Sequence, residues 1–353
     1  MNHGAPASGP VRAPNQFGVL RLLFAFVVVV SHSPELLDGN RSREILASVF
    51  HTRTLGEVGL DGFFLISGYL IVKSWHESPR LGGFALRRAL RIGPGYIVAF
   101  LLCWLVVGPL SGGHIGTDGY VMQAYRMITL QSPELSDAFR GLPYTSLDGP
   151  MWTIAYEVRC YIAAAVLGLA GAYRHRTRYV IACAVALLLF LFLPDLEPPR
   201  MIARFTGKLT DDAALLLVFL TGGAFYLFAN KIRLDGRIAL AAAIALPFTL
   251  AAGQAPARLG VAICGGYLLF WFALVVRAPR LARIGGGIDI SYGLYLYAWP
   301  VQNLIVQRAG DIAPWALTLA ATVIAGLLGL ASWTLVERPG LALARRRRRS
   351  ALA

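Results

Sequence analysis

Residues 16–34 read Gln16-Phe-Gly-Val-Leu-Arg21-Leu-Leu-Phe-Ala-Phe-Val-Val-Val-Val-Ser-His32-Ser-Pro34. Apart from Arg21, the run from Phe17 to Val30 is apolar without a break, and a lone His follows it. Such a stretch reads as a helix inside a bilayer, where backbone polar groups must be bonded within the segment. Ionisable side chains in that setting are costly and point to function. Arg21 and His32 are eleven positions apart, close to three turns of about 3.6 residues, so both fall on one face. They stand roughly 16 Å apart along the axis. With Arg21 at one membrane boundary, His32 reaches about halfway or more across the hydrocarbon core. Pro34 is expected to end this helix.

The remainder of the chain extends the pattern. It is 56% hydrophobic and 15% charged over 353 residues, with a mean hydropathy of +0.59, against about 25% charged for soluble domains. The sequence therefore predicts an all-α, polytopic membrane protein of about ten transmembrane helices. They fall near 17–33, 54–72, 92–110, 150–171, 179–193, 211–229, 238–252, 259–276, 289–308 and 313–336. An even number places both termini on one side. Of the 33 Lys and Arg, 22 lie in the connectors and tails on the terminal side and ten on the other, with Arg159 inside a span. The positive-inside rule then puts both termini in the cytoplasm and the protein in a plasma (inner) membrane.

On this reading the net charge of +14 is topological, and nucleic acid is not an expected partner. The Arg345–Arg349 run is a solvated tail near anionic headgroups. Residues 1–15 and 340–353 are expected to be cytoplasmic tails around one membrane domain at 16–339. No cleavage site follows the first apolar run, so it reads as a retained helix. The four cysteines all fall in spans at spacings that suit neither metal nor disulfide, and no metal is expected.

Several groups of residues could carry chemistry, each beside a plainer role. His32 is either a polar side chain satisfied between helices or a general base kept neutral by burial. Arg87, Arg88 and Arg91, read as lying at the start of the third span, are either an ordinary boundary cluster or a phosphate site helped by the helix's unpaired N–H groups. Asp61 shares a face with Glu57 among glycines that let helices approach closely, and it needs a cationic partner; Arg21, His32 or Arg159 are the candidates. Trp152 and Tyr156 are four apart, as are Glu157 and Tyr161. They make either an interfacial aromatic belt or a platform for a sugar ring. Tyr292 and Tyr295 belong to a Tyr-rich ninth span that packing explains about as well as a site does. The connector 111–149 is long enough to hold an interfacial or re-entrant piece that lids a cavity.

Together these segments resemble the acyltransferase-3 family of membrane acyltransferases over about Phe17 to Pro339. The resemblance rests on Arg21 and His32 (Arg-x10-His), Arg88 and Arg91 followed by Ile92, Pro94 and Tyr96, the run Asp61 to Leu70, Trp152 with Glu157, and Val336-Glu337-x-Pro339. One position departs: where the family often has a ninth-span His, this chain has Ala298, which leaves His32 as the expected base. The resemblance implies transfer of an acyl group, usually acetyl, from cytoplasmic acyl-CoA to a hydroxyl of a carbohydrate or glycolipid. No permanently bound cofactor is implied, and acyl-CoA is a co-substrate. His32, Asp61 and Glu157 would be catalytic, with Asp61 or Glu157 orienting the imidazole or the sugar. Arg21, Arg87, Arg88 and Arg91 would hold CoA; Trp152, Tyr156, Tyr292 and Tyr295 would hold the acceptor. A transporter or flippase for a glycolipid or acylated metabolite is the alternative from the same features, and a non-catalytic scaffold a weaker one. Neither the acceptor, the acyl group nor the oligomeric state is legible.

Overall fold

The computed structural model describes residues 15–114, 119–193 and 208–342. Among them every regular element is helical, and the one β-type pairing is an isolated bridge between His114 and Ser136. In chain order the helices are α1 (Phe17–Asp38), α2 (Ile45–Phe50), α3 (Leu55–Glu77) and α4 (Leu81–Leu110). Next come α5 (Gly119–Ile128), α6 (Pro150–Leu169), α7 (Arg176–Phe192) and α8 (Leu209–Leu227). The last four are α9 (Gly236–Ala251), α10 (Gln254–Leu274), α11 (Ser291–Ala309) and α12 (Pro314–Ala342). Among the described residues, seven of these are long and apolar enough to cross a membrane: α1, α3, α4, α6, α8, α10 and α12. Helices α7, α9 and α11 occupy the other three expected positions. The chain is a multi-pass membrane protein. Parts of both expected tails, 1–14 and 343–353, lie outside the described residues.

Two expectations about the helices are corrected. Helix α1 does not stop at Pro34; it runs on to Asp38 and ends where Gly39 adopts a left-handed conformation, its N–H bonding the Glu35 carbonyl. Proline removes only one helical hydrogen bond, the one to the carbonyl of Val30 four residues back. The Ser33 hydroxyl and the Gln302 amide both donate to the Val29 carbonyl, at 3.0 Å each. Helix α4 starts at Leu81 rather than near Ile92. Nothing between Leu81 and Arg91 breaks it. The arginines therefore sit inside the helix, with their own N–H groups already bonded, and a helix N-terminus lends nothing to an anion beside them.

The centre of the bundle is built by α1, α3, α8, α11 and α12, and the closest approach is between α3 and α8. A Cβ added at Gly68 would lie 1.9 Å from the Phe219 carbonyl oxygen, and one at Gly222 would lie 2.0 Å from that of Leu65. The two backbones touch, which only glycine at both positions permits. Gly68→Val is accordingly expected to destabilise the protein by at least about 1–3 kcal/mol, the usual range for overpacking, because a backbone atom offers no rotamer to yield. The check is the melting temperature in detergent; an unchanged value would mean that the helices can separate at no cost.

The 119–131 stretch does not sit above the bundle. Tyr96, 14 residues before the end of α4, donates to the Gln131 carbonyl at 2.8 Å, and the Tyr120 ring packs on Trp104 at 5.7 Å. The chain from Tyr120 to Gln131 thus runs down the side of α4, from the level of Trp104 to that of Tyr96.

Candidate active site

The end of the bundle that bears Phe17 is the near side, and the opposite end the far side. On the near side, Arg21 of α1 and Arg91 of α4 converge on one carboxylate, Asp289, just before α11, at 3.2 and 2.9 Å. Arg91 also stands 3.8 Å from Glu337 at the end of α12. Both carboxylates are held from behind: the Ser291 hydroxyl donates to Asp289 at 2.6 Å and the Ser332 hydroxyl to Glu337 at 3.0 Å. Arg88 is different. Its guanidinium lies over the Tyr161 ring at 5.9 Å from the centroid. Among the described residues no carboxylate pairs with it, and its buried Nε has no hydrogen-bond partner.

Arg21, Arg88 and Arg91 line one cavity. Its walls run along α3 from Ile71 to Leu60 and along α6 from Tyr161 to Thr153, with Tyr292 and Tyr295 of α11 between them. Along α3 that is roughly 16 Å at about 1.5 Å per residue. Glu157 faces into it, accepting from the Tyr161 hydroxyl and, at 3.4 Å, from that of Ser67. Towards the far side the Phe63 ring meets Tyr295 at 5.8 Å and Phe24 at 5.9 Å, so aromatic side chains narrow the space. Arg87, which the sequence groups with Arg88 and Arg91, is not on this wall.

His32 belongs to the far side and does not line that cavity. Tyr295 does, and Trp299, one turn further along α11, packs edge-on against the His32 ring at 4.9 Å between centroids. His32 Nδ1 faces Glu35 Oε2 at 3.5 Å; the other oxygen of Glu35 accepts from the Tyr144 hydroxyl at 2.7 Å. Burial, then the bond to Glu35, pushes the Tyr144 hydroxyl up to about 12, so it stays a donor at neutral pH. A carboxylate with a second donor on its far oxygen can hold an imidazole in one orientation and leave Nε2 free as a base.

The carboxylate beside His32 is therefore Glu35, and neither Asp61 nor Glu157 touches the imidazole. Asp61 is fully buried and receives Arg53 at 2.6 Å and Arg258 at 3.2 Å. None of the three partners expected from the sequence reaches it. Arg159 bonds Asp212 at 2.8 Å. Trp152 and Tyr156 pack on each other at 5.0 Å, with Arg159 over the Tyr156 ring at 4.5 Å. Successive positions on a helix point about 100° apart; Thr153, Glu157 and Tyr161 take the cavity side of α6, which turns Tyr156 away to accept from the Lys208 N–H at the start of α8 and leaves Trp152 exposed.

A family model for an acyltransferase domain matches residues 15–338. The chain belongs to the acyltransferase-3 family. The O-acetyl transferase of Shigella phage Sf6 is 27% identical over 342 residues, covering 92% of this chain and 95% of that one. Nodulation protein 10 of Rhizobium leguminosarum bv. viciae is 25% identical, covering 93% and 94%. The exopolysaccharide production protein ExoZ of Rhizobium meliloti is 27% identical, covering 84% and 93%. No solved structure gives a significant match. The chain is thus an acyltransferase by family. Asp289, Glu35 and Tyr144 are candidate site residues that sequence reasoning missed, and Glu337 entered only as part of a motif. The one readable signal was Glu35, a single turn beyond His32.

Proposed function

We propose that the protein is an O-acyltransferase that takes an acyl group, most simply acetyl, from acyl-CoA on the cytoplasmic side and delivers it to a hydroxyl of a carbohydrate or glycoconjugate on the other side. The observation that carries this reading is the division of labour along α1. Arg21 joins two further arginines at one end of a cavity, and His32 stands roughly 16 Å further on, beside a carboxylate. The near side is then the cytoplasm, as the excess of Lys and Arg suggests, and α7, α9 and α11 complete ten spans. Similarity to an O-acetyl transferase and to an exopolysaccharide production protein supports the choice of acyl group and acceptor.

In this scheme Arg88, which has no carboxylate of its own, and the shared cations Arg21 and Arg91 take the CoA phosphates. The pantetheine arm occupies the cavity and brings the thioester towards Tyr295, one turn short of His32. Imidazole Nε2 accepts the proton of the acceptor hydroxyl as its oxygen attacks the thioester carbonyl. The tetrahedral oxyanion collapses, the C–S bond breaks, and the proton passes from His32 to the departing CoA sulfur. Glu35, held by Tyr144, keeps Nδ1–H directed to itself throughout. An acyl group carried briefly on His32 is the two-step version of the same chemistry, and trapping acylated His32 under acyl-CoA alone would establish it.

Arg88→Ala is expected to raise KM for acetyl-CoA about tenfold or more, since one charged hydrogen bond is worth about 1.5–3 kcal/mol, with little change in KM for the acceptor. Purified protein, labelled acetyl-CoA and CoA release give the measurement. Equal effects on both substrates would make Arg88 structural.

A further inference from the structure

The far-side groups around His32 form a second recognition surface whose charge differs from that of the basic cavity. Arg41 is the first residue of the turn that follows α1, fixed by Asn40, whose side chain caps that turn on the Ser42 N–H. Its side chain is 52% exposed and bridges two carboxylates: Nε stands 3.4 Å from Glu35 Oε1 and Nη2 3.5 Å from Glu57 Oε1. Both contacts are longer than hydrogen bonds, so the fork keeps N–H groups for a ligand. Glu57 is 33% exposed, and its Oε2 is already engaged by the Thr54 N–H. Its other oxygen faces Arg41. Glu35 is shared: one oxygen lies next to Arg41 and the other next to His32 Nδ1. A single carboxylate therefore separates the guanidinium from the imidazole, a span that one or two sugar rings cover.

Charge decides what this surface takes. Among the described residues here, Asp38 pairs with Arg43, Glu35 and Glu57 with Arg41, Glu57 also with Arg53, and Asp61 with Arg53 and Arg258. Four carboxylates meet four guanidiniums, and a fifth, the buried Glu44, accepts only backbone N–H groups, of Leu46, Ala47 and Leu55. Asp211 and Lys208, the next charged groups along, also carry opposite signs. No cation is left over, in contrast to Arg88 on the near side. An anionic ligand would find each guanidinium already neutralised and would face Glu57 directly, whereas a polyol can accept from Arg41 and donate to Glu57 without upsetting the balance.

We propose that Arg41 and Glu57 form the acceptor subsite beside His32, and that it takes a neutral sugar, two of whose hydroxyls bond these side chains while a third meets His32; acceptors bearing a carboxylate or phosphate are rejected. This rests on the acyl-transfer reading above.

The test is acetyl transfer from labelled acetyl-CoA, by the full-length protein in proteoliposomes, to methyl α-D-glucopyranoside and to methyl α-D-glucopyranosiduronic acid. Wild type is expected to favour the neutral glycoside at least tenfold in kcat/KM. Arg41→Gln should raise KM for that glycoside at least tenfold and KM for acetyl-CoA less than twofold, and Glu57→Gln, which keeps an oxygen for the Thr54 N–H, should do the same. Melting temperatures show that both variants are folded. Equal use of the two glycosides, no transfer to either while CoA is still released, or variants that shift both KM values together would overturn the subsite and leave the acyl-transfer reading standing. Absence of CoA release by wild type would remove both.

Discussion

His32→Ala is expected to lower acyl transfer by about 10²–10⁴-fold, the usual contribution of a positioned general base, while the protein still inserts and melts normally. On a scale of about 1.36 kcal/mol per decade, a thousandfold loss corresponds to roughly 4 kcal/mol of transition-state stabilisation. The loss should appear in kcat, with KM for acetyl-CoA nearly unchanged, because the arginines proposed to bind the donor line a cavity that His32 does not. Glu35→Gln should fall between wild type and His32→Ala, since the amide still fills the space but no longer stabilises an imidazolium. Label transfer from acetyl-CoA at saturating donor measures both. A His32→Ala protein with wild-type turnover would take the imidazole out of the mechanism.

The second large effect concerns a residue that the sequence suggested as catalytic. Asp61 is fully buried between Arg53 and Arg258. Removing its charge leaves two guanidiniums in a poorly solvated place, and breaking a buried pair from one side costs about 3–5 kcal/mol. Set against a total stability of about 5–15 kcal/mol, Asp61→Ala should yield little folded protein, and what folds should melt far below wild type. Asp61→Asn, which keeps acceptor geometry on one oxygen, should lose less. If Asp61→Ala instead melts like wild type and loses only turnover, the carboxylate acts in the chemistry and not in the fold.

Much of the architecture was open to reading because bilayer helices announce themselves by length and apolarity. The position of α1, with Arg21 and His32 three turns apart, needed only helical geometry, as did the nearness of Arg88 to Arg91. The partners of these groups were a different matter. Arg91 meets Asp289 across 198 residues, and Asp61 meets Arg258 across 197. Such pairings depend on which helices become neighbours, and one sequence does not state it. Trp152 and Tyr156 show the same limit at short range: four residues apart guarantees a shared face, but packing chooses what the face looks at. Glu35 was lost for a local reason. Pro34 was read as a stop, so the residue that pairs with His32 was placed beyond the helix that in fact delivers it.

The apolar layer made by Phe24, Phe63 and Tyr295 has a bearing on the energetics of the cell. A protein that admits a highly charged molecule deep into a membrane risks becoming a leak, and each elementary charge crossing 100 mV dissipates about 2.3 kcal/mol. Those rings, in contact at 5.8 and 5.9 Å, stand between the basic vestibule and His32, and sealed vesicles carrying the protein are expected to hold their proton gradient while no donor is bound.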